Sequence, residues 1–100
     1  MEKWTIEQYE DVLKKKKQEA HDKMWLYMDV NAKDLLNECE PGVKNLTAAC
    51  RGMLNQMLEG DEFETEPKIR TKIAGTLTIR YYVDNLSPER RTWKEAQEQA

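Results

Sequence analysis

The chain has 100 residues, 35% of them charged, with 19 acidic and 16 basic side chains and a formal net charge of −3. This length predicts one domain over residues 1–100 with a modest core and little room for a catalytic cavity, so a binding module is expected before an enzyme. The mild acidity disfavours binding of nucleic acid over the whole surface but leaves a local basic patch possible.

Signals for membrane insertion, secretion and bound cofactors are missing from the sequence. No run approaches the roughly 18 apolar residues of a membrane span, and the first residues do not resemble a signal peptide, so a cytoplasmic protein is expected. Cys39, Cys50 and the single histidine, His21, lack the spacing of zinc ligands. The four dispersed glycines form no phosphate-binding loop. We therefore expect no metal, no cofactor and no catalytic residue.

The first predicted element is a long helix over residues 5–29. Thr5 and Gln8 have the spacing of a capping box, which marks the start of a helix. One apolar stripe then continues at helical spacing from Ile6 to Met28. The remaining faces carry many charged side chains, which predicts that they face solvent.

Two further helices are predicted after a bend. Asn31 is a candidate N-cap for a short helix over 32–39, although one uninterrupted first helix to Glu38 is the alternative. Pro41 and the glycine after it then break the chain. The segment 41–59 has an apolar arc about 140° wide, which predicts a helix packed on a core.

The fold class depends on the residues that follow the third helix. The segment 61–67 is strongly acidic and is interpreted as a solvated linker or as an edge strand protected by its charges. Apolar and polar residues alternate over 68–83, which favours a β-hairpin with a loop near Gly75 and therefore a small, mainly helical α+β domain. If 68–83 is helical instead, the alternative is an all-α bundle of four or five helices.

A C-terminal helix is predicted over 87–97. Ser87 is a candidate N-cap and Pro88 occupies the first helical position. Trp93 has to bury its large ring, either on the core of its own chain or on a second copy. A homodimer joined through 87–97, with no ligand of its own, is therefore one functional hypothesis.

The predicted order of three helices, a hairpin and a terminal helix resembles a winged helix-turn-helix over residues 5–83. The resemblance implies that the third helix lies in the major groove of DNA and that the hairpin touches the backbone. It assigns base contacts to Lys44, Arg51 and Asn55. It assigns phosphate contacts to Lys68, Arg70, Lys72 and Arg80.

Docking on another protein or nucleoprotein, as an inhibitor, adaptor or regulator, is the preferred expectation. Net acidity would oppose phosphate binding, and the chain is rich in residues common at interfaces, with three Trp, four Tyr and five Met. By analogy, small accessory proteins of mobile elements, including inhibitors of defence nucleases, have this profile. The expected contact residues are the acids Glu59, Asp61, Glu62, Glu64 and Glu66.

Overall fold

The computed structural model describes residues 3–98, and over that range the chain folds into four helices and one small sheet. The helices are α1 (Ile6–Asp22), α2 (Ala32–Cys39), α3 (Leu46–Asn55) and α4 (Trp93–Glu98), and the strands are β1 (Tyr27–Asn31), β2 (Glu62–Thr65) and β3 (Thr78–Tyr82). The strands form an antiparallel sheet in the order β1-β3-β2. The α+β class is therefore confirmed, and the all-α alternative is wrong.

The start of α1 is fixed by two sets of hydrogen bonds. The Gln8 amide donates to the Thr5 hydroxyl (3.2 Å) and the Thr5 amide donates to the Gln8 side chain (2.8 Å), so the predicted capping box is confirmed. One turn further on, the Tyr9 hydroxyl donates to the buried carboxylate of Glu40, which also accepts from the Asn45 side chain. Glu40 thereby connects the start of α1 to the start of α3.

The end of α1 comes earlier than predicted. The expected helix over 5–29 is wrong beyond Asp22, because Met24 adopts a left-handed conformation (φ 63) that stops the helix. The chain then becomes extended as β1, whose Met28 and Val30 side chains point into the core. By spacing alone Met28 also fits a helical stripe, but only the extended form lets this segment pair with β3.

The second and third helices are separated by a tight turn. α2 occupies 32–39 as predicted, and the Asn31 side chain caps it by accepting from the Asp34 amide (3.1 Å). An uninterrupted first helix is wrong, because β1 lies between α1 and α2. α3 is shorter at both ends than the predicted 41–59, because Gly42 (φ 78) holds a turn before it and the chain turns toward β2 after it.

β3 is the central strand of the sheet and not the second arm of a hairpin within residues 68–83. The predicted hairpin over 68–83 is wrong, because only Thr78–Tyr82 is a strand and its neighbours are β1 and β2. The alternation predicted for this segment is nevertheless present. The side chains on the inner face are buried, namely Leu77, Ile79, Tyr81 and Val83.

The acidic segment over 61–67 is mostly the edge strand β2, as the second interpretation of it predicts, and not a linker. It pairs with β3 through Glu62 and Arg80, with an irregularity before Thr65. Residues 66–77 then form a long connection, called the β2–β3 loop below, that leads into the central strand.

The contact between α1 and α3 contains a glycine and a buried lysine. A Cβ atom at Gly52 would lie 2.8 Å from the Cβ of Tyr9, so glycine is what allows the two helices to approach. Nearby, the Lys17 ammonium donates to the Gln56 carbonyl and lies 4.6 Å from the centroid of the Tyr81 ring. Burial of Lys17 lowers its pKa to about 8.

The C-terminal helix begins at Trp93 and not at Ser87, so the prediction of a helix over 87–97 is wrong in its first turns. Ser87 heads a turn, and the cap of α4 is Thr92, whose hydroxyl accepts from the Glu95 amide (3.2 Å). The Trp93 ring packs edge-on against Phe63 of β2, with centroids 5.7 Å apart. This ring therefore docks on its own chain.

Candidate functional site

The solvent-facing side of α3 is polar. Thr47, Arg51 and Asn55 follow one another at four-residue intervals and are exposed, within an arc of about 80°. The opposite side, which includes Met53, is buried against the rest of the core. Lys44 lies exposed just before the helix. The three residues predicted to contact bases are therefore all exposed, and Arg51 and Asn55 lie on this side of α3.

The β2–β3 loop is anchored at both ends and exposed in its middle. Pro67 and Leu77 are buried and fix the two ends on the domain. Between them, Lys68 and Arg70 are exposed on either side of Ile69, whose side chain is itself 50% exposed. Two predicted phosphate contacts thus lie in the exposed part of the loop.

A cleft of about 550 Å³ separates the C-terminal end of α3 from the β2–β3 loop and α4. Three cations line it, Arg70 and Lys72 from the loop and Lys94 from α4, together with one acid, Glu10 of α1. Asn55 also lines it and donates to the Glu10 carboxylate (3.1 Å). The fold therefore brings three predicted residues into one place, called the basic cleft below, where an anion would meet an excess of positive charge.

Lys94 is a candidate that sequence analysis missed. It follows Trp93, whose contact with Phe63 holds α4 beside β2 and so brings Lys94 to the cleft. The only sequence feature that pointed to Lys94 was the neighbouring Trp93, because a tryptophan ring is normally buried and would fix the position of the residues beside it. Its docking position cannot be derived from spacing along the chain.

Two predicted phosphate contacts are already paired with acids of the same chain. The Lys72 ammonium lies 2.8 Å from a Glu66 carboxylate oxygen. Arg80, on the exposed face of the sheet, donates to Asp29 (3.0 Å) and lies 2.7 Å from Glu64. These pairs reduce the attraction of either side chain for phosphate. The predicted cations that stand exposed are Lys44, Arg51, Lys68 and Arg70.

Asp61 is not part of an exposed acidic surface. Its side chain is 0% exposed and lies 2.7 Å from the Arg90 guanidinium. It also accepts hydrogen bonds from the amides of Leu58 and Tyr82, each at 2.8 Å. The expectation that Asp61 contacts a partner is therefore wrong, because its carboxylate is fully engaged inside the fold.

The other acids of the predicted contact surface lie on the outside, beside groups of the same chain. Three of them form ion pairs, namely Glu59 with Arg91, Glu64 with Arg80 and Glu66 with Lys72. Glu62 accepts a hydrogen bond from the Tyr82 hydroxyl (2.7 Å), which raises the pKa of that phenol. Much of the negative charge of this segment is thus balanced locally.

Other chemistry has little support in the part of the chain that the structure describes. Residues 3–98 contain no group of three or more His, Cys, Asp and Glu side chains able to hold a metal ion. Cys39 and Cys50 are both free thiols, and burial raises the pKa of Cys50, which disfavours the reactive thiolate. None of the helices between residues 3 and 98 combines the length and apolar character needed to cross a membrane.

Comparison of the chain with known proteins gives no match. No protein-family model, no curated protein and no solved structure is similar to it. The order of the elements and the side chains of α3 and of the basic cleft are therefore the basis for a functional assignment.

Proposed function

We propose that this chain is a small, non-catalytic, DNA-binding regulator of the winged helix-turn-helix type. The observation that carries the proposal is the element order α1-β1-α2-α3-β2-β3 together with the sheet order β1-β3-β2. In winged-helix proteins the second and third helices form the helix-turn-helix, and the loop between the last two strands is the wing. On this basis α2 and α3 are the helix-turn-helix, and the β2–β3 loop is the wing.

The exposed side of α3 supplies groups suited to a DNA groove. Arg51 is at its centre, and an arginine can donate two hydrogen bonds to the edge of a guanine. Thr47 and Asn55, one turn to either side, can donate to or accept from base edges or phosphates. Asn55 would have to exchange its bond to Glu10 for one to DNA.

Phosphate contacts are assigned to four exposed cations around α3 and the wing. Lys68 and Arg70 stand on the wing, Lys94 lines the basic cleft and Lys44 precedes α3. Each neutralised phosphate releases counterions, so four contacts predict a salt dependence with a logarithmic slope of about −3.6. Lys72 is given a positional role, because its ammonium pairs with Glu66 at the start of the wing and lies 5.7 Å from the centroid of the Phe63 ring of β2.

The net charge of −3 is compatible with this assignment because of where the acids lie. At sequence level the acids next to the wing favour protein docking, since they would repel phosphates. In the fold, Glu64 and Glu66 each lie within 2.8 Å of a cation, and Asp61 is buried against Arg90. The repulsion that favoured an acidic protein-docking surface is thereby reduced.

The homodimer hypothesis has less support than DNA binding. It relies on Trp93 needing a partner, whereas the Trp93 ring contacts Phe63 of its own chain. The amide of Trp93 also donates to the Met57 carbonyl (2.9 Å), which fastens α4 to the segment after α3. Dimerisation through 87–97 stays a prediction that light scattering can test.

Fluorescence anisotropy with a labelled random-sequence duplex tests the proposal. We expect measurable binding at about 50 mM salt and an affinity roughly 10²-fold lower at about 200 mM, from the slope of four phosphate contacts. Arg70→Ala combined with Lys94→Ala should reduce that slope by about two. Lys15→Ala, an exposed change on α1 that removes a charge away from α3 and the cleft, is the matched control.

Three results would overturn the assignment. The first is the absence of binding at low salt by a protein whose circular dichroism shows it to be folded. The second is an unchanged slope in the Arg70→Ala and Lys94→Ala double variant, and the third is an equal reduction of the slope in Lys15→Ala. Arg51→Ala should in addition reduce discrimination between duplexes of different sequence by about 1–3 kcal/mol at the affected base pair.

A further inference from the structure

An exposed apolar segment connects α1 to β1. Met24 is 92% exposed, and the three residues after it, Trp25, Leu26 and Tyr27, are each at least 40% exposed. Four large apolar side chains in succession are unusual on the surface of a small domain with a charged exterior, and such patches commonly mark contact sites. The proposed DNA-binding surface contains none of these residues.

β1 presents a free backbone edge next to this segment. The Val83 amide donates to the Leu26 carbonyl (2.9 Å) and the Ala32 amide donates to the Leu77 carbonyl (2.8 Å), so the even-numbered residues of this strand direct their backbone groups toward β3. Because the pattern alternates in an antiparallel pair, the amide and carbonyl groups of Tyr27 and Asp29 point to the outer edge. Such an edge is able to accept a further strand.

A groove of about 320 Å³ runs along this edge between α1 and α2. Met28 and Leu35 contribute apolar surface to it, and Trp25 stands at its end. Its polar walls hold four carboxylates and two ammonium groups. Glu38 is paired with Lys16 (2.7 Å) and Asp29 with Arg80 (3.0 Å). This leaves the carboxylates of Glu19 and Asp34 against the ammonium of Lys23. The groove therefore combines apolar surface, backbone hydrogen-bonding groups and an excess of negative charge.

We propose that this groove binds an extended, basic segment of a partner protein, which adds to β1 as a fourth strand. The backbone of the segment would bond to Tyr27 and Asp29, its apolar side chains would contact Trp25 and Met28, and its lysines or arginines would face Glu19 and Asp34. A second copy of this chain is a poorer occupant, because its own β1 edge carries the same acidic excess. Nucleic acid is disfavoured for the same reason.

The site is independent of the proposed DNA-binding function. No residue that lines the groove also lines the basic cleft. A partner strand on β1 would therefore leave α3 and the β2–β3 loop accessible, so one chain could connect a protein to DNA. Failure of DNA binding would not affect the groove, and failure of the groove would not affect DNA binding.

Titration of the ¹⁵N-labelled protein with synthetic peptides tests the inference. The probe is an alternating lysine-valine peptide of about eight residues, a typical strand length. An alternating glutamate-valine peptide is the matched control for charge. A lysine-valine peptide N-methylated at alternate residues is the matched control for strand addition. We expect saturable shifts of the Tyr27 and Asp29 amides and the Trp25 indole with the first peptide only, together with slower amide exchange at Tyr27 and Asp29. Glu19→Gln combined with Asp34→Asn should weaken binding about three- to tenfold.

Several outcomes would overturn the inference. Equal binding of the acidic and basic peptides would remove the role of charge, and equal binding of the N-methylated peptide would remove strand addition. Shifts at Tyr27 and Asp29 that depend on protein concentration without peptide would identify a second copy as the occupant. The absence of saturable binding of the lysine-valine peptide to the folded protein would show that the groove does not bind a basic strand. Glu7→Gln, which neutralises an exposed carboxylate that does not line the groove, should behave as wild type in the peptide titration.

Discussion

Replacement of Asp61 by alanine should destabilise the domain by about 3 kcal/mol. The carboxylate is completely buried, and its removal leaves the Arg90 guanidinium, which is 8% exposed, without its counter-ion. Removing one partner of a buried ion pair typically costs about 3–5 kcal/mol. The lower end is appropriate because Arg90 keeps its bonds to the carbonyls of Tyr82 (2.7 Å), Glu59 (2.9 Å) and Asn85 (3.0 Å).

Urea and thermal unfolding measure this effect. For a chain of this size a loss of about 3 kcal/mol corresponds to a decrease in melting temperature of about 12–24 °C. The neighbouring change Glu62→Ala is the control, because Glu62 is exposed on β2 and should alter stability by no more than about 0.5 kcal/mol. Adding Arg90→Met to Asp61→Ala removes the unpaired charge, so the double variant should be less destabilised than the sum of the two single changes.

Near wild-type stability of Asp61→Ala would refute this reasoning, as would strict additivity in the double variant. The first result would mean that Asp61 is exposed in solution and available to a partner, as the sequence suggested. The second would mean that the two side chains do not interact. A change in the urea m-value would point instead to altered compactness of one of the states.

Two further predictions concern the contact between α1 and α3. Gly52→Ala should destabilise the folded protein by about 1–3 kcal/mol, because the added Cβ would collide with Tyr9. The same change in an unobstructed helix stabilises by about 1 kcal/mol. A higher urea midpoint for Gly52→Ala would therefore contradict the close approach of α1 and α3. Lys17, whose pKa is lowered to about 8 by burial, releases its proton more readily in the folded protein than in the unfolded chain, so it should contribute about 1 kcal/mol more stability at pH 9 than at pH 8. The raised pKa values of Cys39 and Cys50 act in the opposite direction within the same range, because their thiols ionise first in the unfolded chain. The Lys17 contribution is therefore read from urea titrations at the two pH values as the difference between the unaltered protein and Lys17→Met, and the same pH dependence in both proteins would contradict it.

The elements that the sequence predicts correctly are those specified by neighbouring residues. The caps at Thr5 and Asn31 depend on side chains three positions away, and both form as expected. The period-two pattern leading to Val83 likewise predicts which side of β3 is buried. β1 could not be predicted in this way, because Met28 fits a helical stripe and its strand partner, Tyr81, is far along the chain. Pairing at that distance overrides local preference.

The candidate site was predicted in its composition and not in its arrangement. Arg70 and Lys72 are recognisable as cations in the sequence, but the pairing of Lys72 with Glu66 depends on how the β2–β3 loop folds back on its own first residue. Lys94 reaches the same cleft only because Trp93 docks on Phe63. The exposure of Met24 was also not predicted, because the apolar pattern favours a helix to residue 29, whereas the left-handed conformation of Met24 ends α1 and turns the apolar segment outward.

The position of β3 in the middle of the sheet has a consequence for biosynthesis. Its residues are translated after both of its neighbours, so a nascent chain that ends before Thr78 carries two strands that cannot pair with each other. Until then Met28 and Val30 lack their cover, and chaperones should engage the nascent chain and release it soon after Tyr82 emerges from the ribosome. Arrest-peptide force profiling should show one folding event once β3 has emerged, and an earlier peak would indicate that the helices fold without the sheet.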